Sequence, residues 1–269
     1  MQFETLTEPE WERVEAAWEA LDSGKLGLAR GTIDELLAQR PGHPDLRMVD
    51  AALLLEAGEA DRALQALSGA EQSADPAAFF HLRGLAQHDL LRFEEALKDA
   101  ERALVIRQDM PESHDLASRA LEHLGQERES ADHAESANEL DPEGYPMPLE
   151  MSDEAFDLCV ESSIAELPPE IRKELDVIPV IVDALPMRAM LAAEDPPLTP
   201  DLLGLFIGSP LRDRSFSDEP AVTGAIHLFR RNLLRMCHTQ EDLAREIRMT
   251  LQQEVGNLLG LDGDELEDE

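Results

Sequence analysis

The chain has 269 residues and carries 23 Lys and Arg against 58 Asp and Glu, a formal net charge of −35 at neutral pH. That length accommodates two domains with cores of ordinary size. The acidity is spread over both halves and repels phosphate backbones and anionic lipid, so the expected partner is a protein or peptide, basic in character, with no nucleic acid and no membrane.

Two cysteines, Cys159 and Cys237, cannot build a disulfide framework and read as free thiols in a reducing compartment. The first residues lack a basic region followed by an apolar run, and no stretch approaches the ~20 apolar residues that cross a bilayer. The expected location is the cytoplasm.

Residues 8–142 repeat. Small residues recur at Ala17, Ala51, Gly84 and Ser118, spaced by 34, 33 and 34, and a second set at Ala29, Ala63, Ala96 and Ser130 keeps the same spacing. Each unit reads as one helical hairpin. Gly24, Gly58 and Gly125 fall where the first helix must turn, with Leu91 in that place in the third unit. Pro41, Pro76, Pro111 and Pro142 close the units, because a residue without a backbone N–H cannot extend the helix before it.

A 34-residue period with small residues at the helix crossings resembles tetratricopeptide repeats. The third copy, Phe80-His-Leu-Arg-Gly-Leu-Ala-Gln-His-Asp-Leu-Leu-Arg-Phe-Glu-Glu-Ala-Leu97, carries the likeness best, and the fourth ends in Glu139-Leu-Asp-Pro142. The resemblance implies a solenoid whose first helices line a curved inner surface. Its inward positions would be Trp11, Val14, Trp18, Met48, Leu55, His81, Leu85, His88, Asp115 and Arg119. On that reading Trp11, Trp18, Met48, His81, His88 and Arg119 line a peptide groove, apolar at its N-terminal end and polar at its C-terminal end. Aromatic residues at helical spacing are also commonly core, so Trp11 and Trp18 read equally well as a cap on the first hairpin. His81 and His88 are two helical turns apart, too far to share a metal, and read as groove or surface residues.

Residues 143–150, Glu-Gly-Tyr-Pro-Met-Pro-Leu-Glu, read as a linker to a second domain over 151–269. Ser152 caps a predicted helix to about Leu167, and Pro168 and Pro169 stop it and open a short helix to Leu175. Val177 to Val182 is β-branched and apolar, hence a strand with Pro179 at an edge or bulge. Met187 to Pro200 reads as a loop; Leu202 to Ile207 and Ala225 to Arg230 are two further strands.

Thr239, with Asp242 three residues on, opens the last helix, which runs to Leu261 with Gly260 as its stop and Leu243, Ile247, Leu251 and Leu258 as its apolar stripe. Its other face carries Gln253, Glu254 and Asn257. These occupy the polar positions of a His-Glu-x-x-His helix, in which two imidazoles bind zinc and the Glu activates water.

The segment Thr250-Leu-Gln-Gln-Glu-Val-Gly-Asn-Leu-Leu-Gly-Leu-Asp262 follows Pro197-Leu-Thr-Pro-Asp-Leu-Leu-Gly-Leu-Phe206, Gly208-Ser-Pro-Leu-Arg-Asp-Arg214 and Ile226-His-Leu-Phe-Arg-Arg231. From about Met151 onward the chain resembles the small bacterial zincin-like metallopeptidases, the minimal gluzincins. The resemblance maps the family's zinc histidines onto Gln253 and Asn257 and its general base onto Glu254. The third ligand falls on Asp262, Asp264 or Glu265. It also implies an edge strand, here Ile226, His227, Leu228 and Phe229, that takes an extended peptide by main-chain hydrogen bonds independent of zinc. Arg212, Arg214, Arg230, Arg231 and Arg235 form the densest positive cluster, read either as contacts to acidic side chains of such a peptide or as intramolecular pairs.

Side-chain amides are weak zinc donors that stay neutral, and a Glu without metal lacks a water acidified from about 15.7 to about 7. The expectation is an α-helical repeat solenoid followed by an α+β zincin-like domain. It would act as a binding adaptor with Glu254 a vestigial base and no cofactor. The alternative is an active zinc peptidase with a non-standard metal site and repeat-presented substrate. A substitute site from His227, Cys237 and His238 with Glu254 has weaker spacing.

Overall fold

The computed structural model describes residues 4–208 and 224–259. They fall into two compact units, one of residues 1–146 with 194–197 and the other of 147–193 with 198–269.

In the first unit the small-residue period becomes four antiparallel helical hairpins. Their helices are α1 (Glu8–Asp22) with α2 (Leu26–Gln39), α3 (Pro44–Glu56) with α4 (Ala60–Leu67), α5 (Pro76–Asp89) with α6 (Phe93–Ile106), and α7 (Pro111–His123) with α8 (Glu127–Leu140). The first helices touch in series, α1 to α3, α3 to α5 and α5 to α7, and so form the continuous layer of a solenoid. Gly24, Gly58 and Gly125 have φ near +70°, and Leu91 takes the same left-handed turn at φ 60°. A left-handed Leu costs roughly 1–2 kcal/mol. Its side chain is 3% exposed, and burial worth about 1.5–3 kcal/mol offsets that cost. Pro76 and Pro111 act one step later than the sequence suggests: each is the first residue of the next helix, where the missing N–H has no partner to lose.

The two small-residue sets meet at the helix crossings. Ala17, Ala51, Ala29, Ala63 and Ala96 are fully buried. A Cβ on Gly84 would lie 2.9 Å from Leu116 and 3.2 Å from the Ala96 carbonyl, so α5 passes almost in backbone contact with its neighbours. In the fourth hairpin both positions are serines, and their hydroxyls satisfy one another at 3.0 Å in the buried crossing. The third hairpin adds a polar pin. The Arg83 guanidinium grips the Asp99 carboxylate at 2.6 and 2.7 Å and lies over the rings of Phe79 and Phe80. Asp99 is 2% exposed, and a charge so placed requires that partner.

In the second unit Ser152 accepts from the Ala155 N–H and starts α9 (Asp153–Glu166), followed by α10 (Pro169–Leu175), β1 (Val180–Asp183), α11 (Arg188–Leu191), β2 (Gly204–Ile207), β3 (Ala225–Phe229), α12 (Arg230–Met236) and α13 (Gln240–Leu259). The Thr239 hydroxyl accepts the Asp242 N–H at the start of α13. Leu243, Ile247, Leu251 and Leu258 are fully buried against Phe156 and Val160 of α9 and Ile226 and Leu228 of β3. The segment expected to be loop from Met187 contains the short α11, and α12 intervenes between β3 and α13.

The sheet order is β1-β3-β2, with β1 parallel and β2 antiparallel to β3. This corrects the expected peptide edge. Ile226 to Phe229 is the central strand among the described residues, paired on both sides, and Ile226, Leu228 and Phe229 are core. Strand alternation looks the same at the centre of a sheet as at its rim, so local sequence does not distinguish the two.

Introducing bulk at a crossing should be costly. Ala96→Leu is expected to lower unfolding free energy by about 1–3 kcal/mol in urea titration, the range for overpacking a filled core.

Candidate functional site

The zincin-type site is built where α13 crosses β2. Gly204 makes the crossing close: a Cβ there would sit 2.5 Å from the Thr250 methyl carbon. One helical turn after Thr250, Glu254 is thereby delivered onto the strand. Its Oε2 accepts the backbone N–H of Phe206 at 2.8 Å and an N–H of the Asn257 amide at 3.2 Å. Phe229 donates its N–H to the Leu203 carbonyl at 2.9 Å. With antiparallel alternation, the Leu205 groups then face β3 and those of Phe206 face away from it. Glu254 therefore satisfies a strand N–H that β3 cannot reach. The residue is 7% exposed.

Gln253 is exposed, and Asn257, also exposed, spends an amide proton on Glu254. The residues on this face do not fit zinc. They comprise two neutral amides and one carboxylate already holding two hydrogen bonds, and zinc sites are built from imidazole, thiolate and carboxylate. Asp262, Asp264 and Glu265, the sequence candidates for a third ligand, lie outside the described residues, as do Arg212 and Arg214.

The substitute site is not assembled either. His227 pairs with Leu205 and Ile181 across the sheet, one residue out of phase with Gly204, and so projects from the face opposite α13. There its Nδ1 lies 2.7 Å from an Asp183 carboxylate oxygen, a pairing the sequence did not signal. Cys237 is buried in the core, and its thiol is pushed up to about 11, chiefly by burial. Among the described residues no three His, Cys, Asp or Glu side chains converge as metal ligands. In the arginine cluster, Arg230 pairs with Asp153 and Arg235 donates to Asn232 at 3.2 Å.

In the helical unit the expected groove residues divide. Trp11 and Trp18 are partly buried, and both pack against the core of the first hairpins, Trp18 reaching the second hairpin's core as well. Arg119 is held at 2.8 Å by Asp115, one turn before it. His81 is partly buried, with Nδ1 3.1 Å from the Ser113 hydroxyl. Burial, then the positive charge of Arg119, pushes its pKa down to about 4. Two expectations are corrected: Met48 is 4% exposed and packs in the second hairpin's core, and His88 is fully buried against Phe93 and His123. Helix periodicity places both on the inward stripe, but neighbouring hairpins close over them.

A second cluster lies on α6, α7 and α8. Glu101, Leu104, Val105, His114, His133 and Glu139 are among the residues lining a groove of about 830 Å³. The Nδ1 atoms of His114 and His133 are 2.9 Å apart, and His114 Nε2 is 3.3 Å from the Gln108 carbonyl. Burial and the neighbouring His114 hold His133 below the usual imidazole range. Nineteen residues separate the two histidines, so only the hairpin reveals the pair.

The chain thus combines a tetratricopeptide-type solenoid with an α+β zincin-like domain. Residues 175–269 match the model of the zincin-like metallopeptidase family. Solved structures similar to the chain include MamA, residue 41 to the end, from Desulfovibrio magneticus RS-1. That match has 20% identity and a TM-score of 0.41, covering 49% of this chain and 75% of that one. Another MamA protein has 15% identity and a TM-score of 0.40, covering 53% of this chain and 79% of that one. No curated protein matches the sequence. The assignment of the solenoid rests on the hairpins themselves. No helix among the described residues is long and apolar enough to cross a membrane.

Two outcomes follow from this geometry. Glu254→Ala leaves the Phe206 N–H without its acceptor and should cost about 1–3 kcal/mol of stability, whereas Glu254→Gln keeps an acceptor oxygen and should cost less; paired denaturation curves measure both. For His81, the unfolded chain takes up a proton near pH 6.5 and the folded chain only near 4. Its stabilising contribution is therefore complete above pH 6.5 and is lost as pH falls towards 4, by up to about 3 kcal/mol. The loss should be smaller in His81→Gln when urea midpoints are compared at pH 7 and pH 4.5.

Proposed function

We propose that the protein is a binding adaptor. Its helical solenoid takes a protein or peptide partner, and its zincin-like domain is a non-hydrolytic scaffold. The observation that carries this reading is the commitment of Glu254 to the Phe206 N–H and the Asn257 amide. A general base must have a free lone pair facing an acidified water. Oε2 of this carboxylate is taken up by the fold, and the flanking positions offer amides in place of imidazoles.

The partly exposed Trp11, Trp18, Leu55, Leu85 and the Asp115–Arg119 pair are the surface proposed for the partner. A chain of net charge −35 favours a basic one by long-range attraction. Free Cys159 and Cys237 suit a reducing cytoplasm.

Two measurements test the proposal. The purified chain, supplied with zinc and offered a mixture of unstructured peptides, should give no cleavage that a chelator abolishes; such cleavage would establish the peptidase alternative. The double change Gln253→His with Asn257→His should add one zinc per chain relative to the unaltered protein, read by metal analysis, because the α13 scaffold for the two imidazoles is intact. For the solenoid, combining Trp18→Ala with Arg119→Glu should remove partners recovered by affinity capture, and an unchanged set would contradict the groove assignment.

A further inference from the structure

We propose that His114 and His133 form a two-nitrogen site for a divalent copper or nickel ion in the groove between α6, α7 and α8. The site uses none of the zincin-type residues on α13 and none of the residues proposed for the partner surface.

Their Nδ1 atoms stand 2.9 Å apart, with the ring planes tilted by 44°. Metal–imidazole bonds are about 2.0–2.1 Å long, so two donors at a right angle lie about 2.9 Å apart and two at a tetrahedral angle about 3.3–3.4 Å. The observed separation matches the right-angled edge. Square-planar and tetragonal arrangements of nitrogen and oxygen donors favour Cu²⁺ and Ni²⁺ over tetrahedral Zn²⁺.

The outer contacts suit ligation. His114 Nε2 lies 3.3 Å from the Gln108 carbonyl, which can only accept, so the proton sits on Nε2 and Nδ1 presents a lone pair. This is the usual support for a metal-binding histidine. In the metal-free pair His133 Nδ1 is then the donor. On binding, its proton moves to Nε2 through solvent, both Nδ1 lone pairs face the ion, and no net proton is released.

The groove leaves room for the remaining positions of the coordination sphere. Glu101 and Glu139 line it, and the Glu101 charge acts on the His133 ring. Since no three ligand-type side chains converge among the described residues, water fills those positions and the affinity is that of a two-ligand site. His81 is engaged by Ser113, His88 is sealed in the core and His227 is held by Asp183, so none of the three supplies a comparable pair.

The test uses the full chain stripped of metal and titrated with copper(II) or nickel(II) chloride. Calorimetry should give one ion per chain, and the electron paramagnetic resonance spectrum of the copper form should carry hyperfine structure from two imidazole nitrogens. His114→Gln and His133→Gln should each weaken binding at least tenfold, while His81→Gln leaves it unchanged. Without any substitution, Cu²⁺ should broaden the ring signals of His114 and His133 before those of the other histidines in a nitrogen-15 NMR spectrum. Equal affinity in the His114→Gln and His133→Gln variants, a spectrum with no more than one nitrogen, or broadening that starts at other histidines would overturn the proposal and leave the pair as a plain hydrogen bond.

Discussion

The hydrogen bond from the Phe206 backbone to the Glu254 carboxylate joins α13 of the zincin-like unit to β2, at the rim of the sheet that the described residues form. A buried backbone N–H that lacks a partner costs as much as a lost hydrogen bond, and β3 already uses the other side of β2. The carboxylate closes that gap. It can do so because Gly204 and Thr250 let helix and strand approach closely, and because the leucine stripe of α13 fixes the helix's rotation against β3. The residue that the family pattern marks as a base is here a structural acceptor. The carboxylate thus has a place in the fold that does not depend on what stands at the two flanking positions.

The solenoid depends on a different constraint, the absence of bulk at every helix crossing. Hairpins repeating this way bury no complete core singly, so each relies on its neighbours. Where the fourth hairpin places serines at both crossing positions, their mutual hydrogen bond keeps polar atoms in a space that alanine or glycine occupies elsewhere. Among the described residues of this unit the one deeply buried carboxylate, Asp99, is bound by Arg83.

Much of this was legible in the chain. The 34-residue period, the place of the turn at Leu91, the helix cap at Ser152 and the stripe on α13 all follow from local rules of spacing and capping. What was not legible depends on contacts between distant segments. The strand order put Ile226 to Phe229 at the centre of the sheet, and nothing in an alternating pentapeptide encodes its neighbours. His88 and Met48 sit at inward positions by helical phase but are covered by adjoining hairpins. The acceptor role of Glu254 required knowing that β2 lies under α13. The Gln253 and Asn257 departures were plain in the sequence; the use made of the glutamate between them was not.

The central claim is that α13 holds its carboxylate for the fold and offers no metal site. Diffraction from zinc-soaked crystals of the unmodified protein, recorded on both sides of the zinc absorption edge, tests it most directly. The account predicts no anomalous peak at Glu254, with its carboxylate still on the Phe206 amide. A strong peak coordinated by the side chains of Gln253, Glu254 or Asn257 would contradict it.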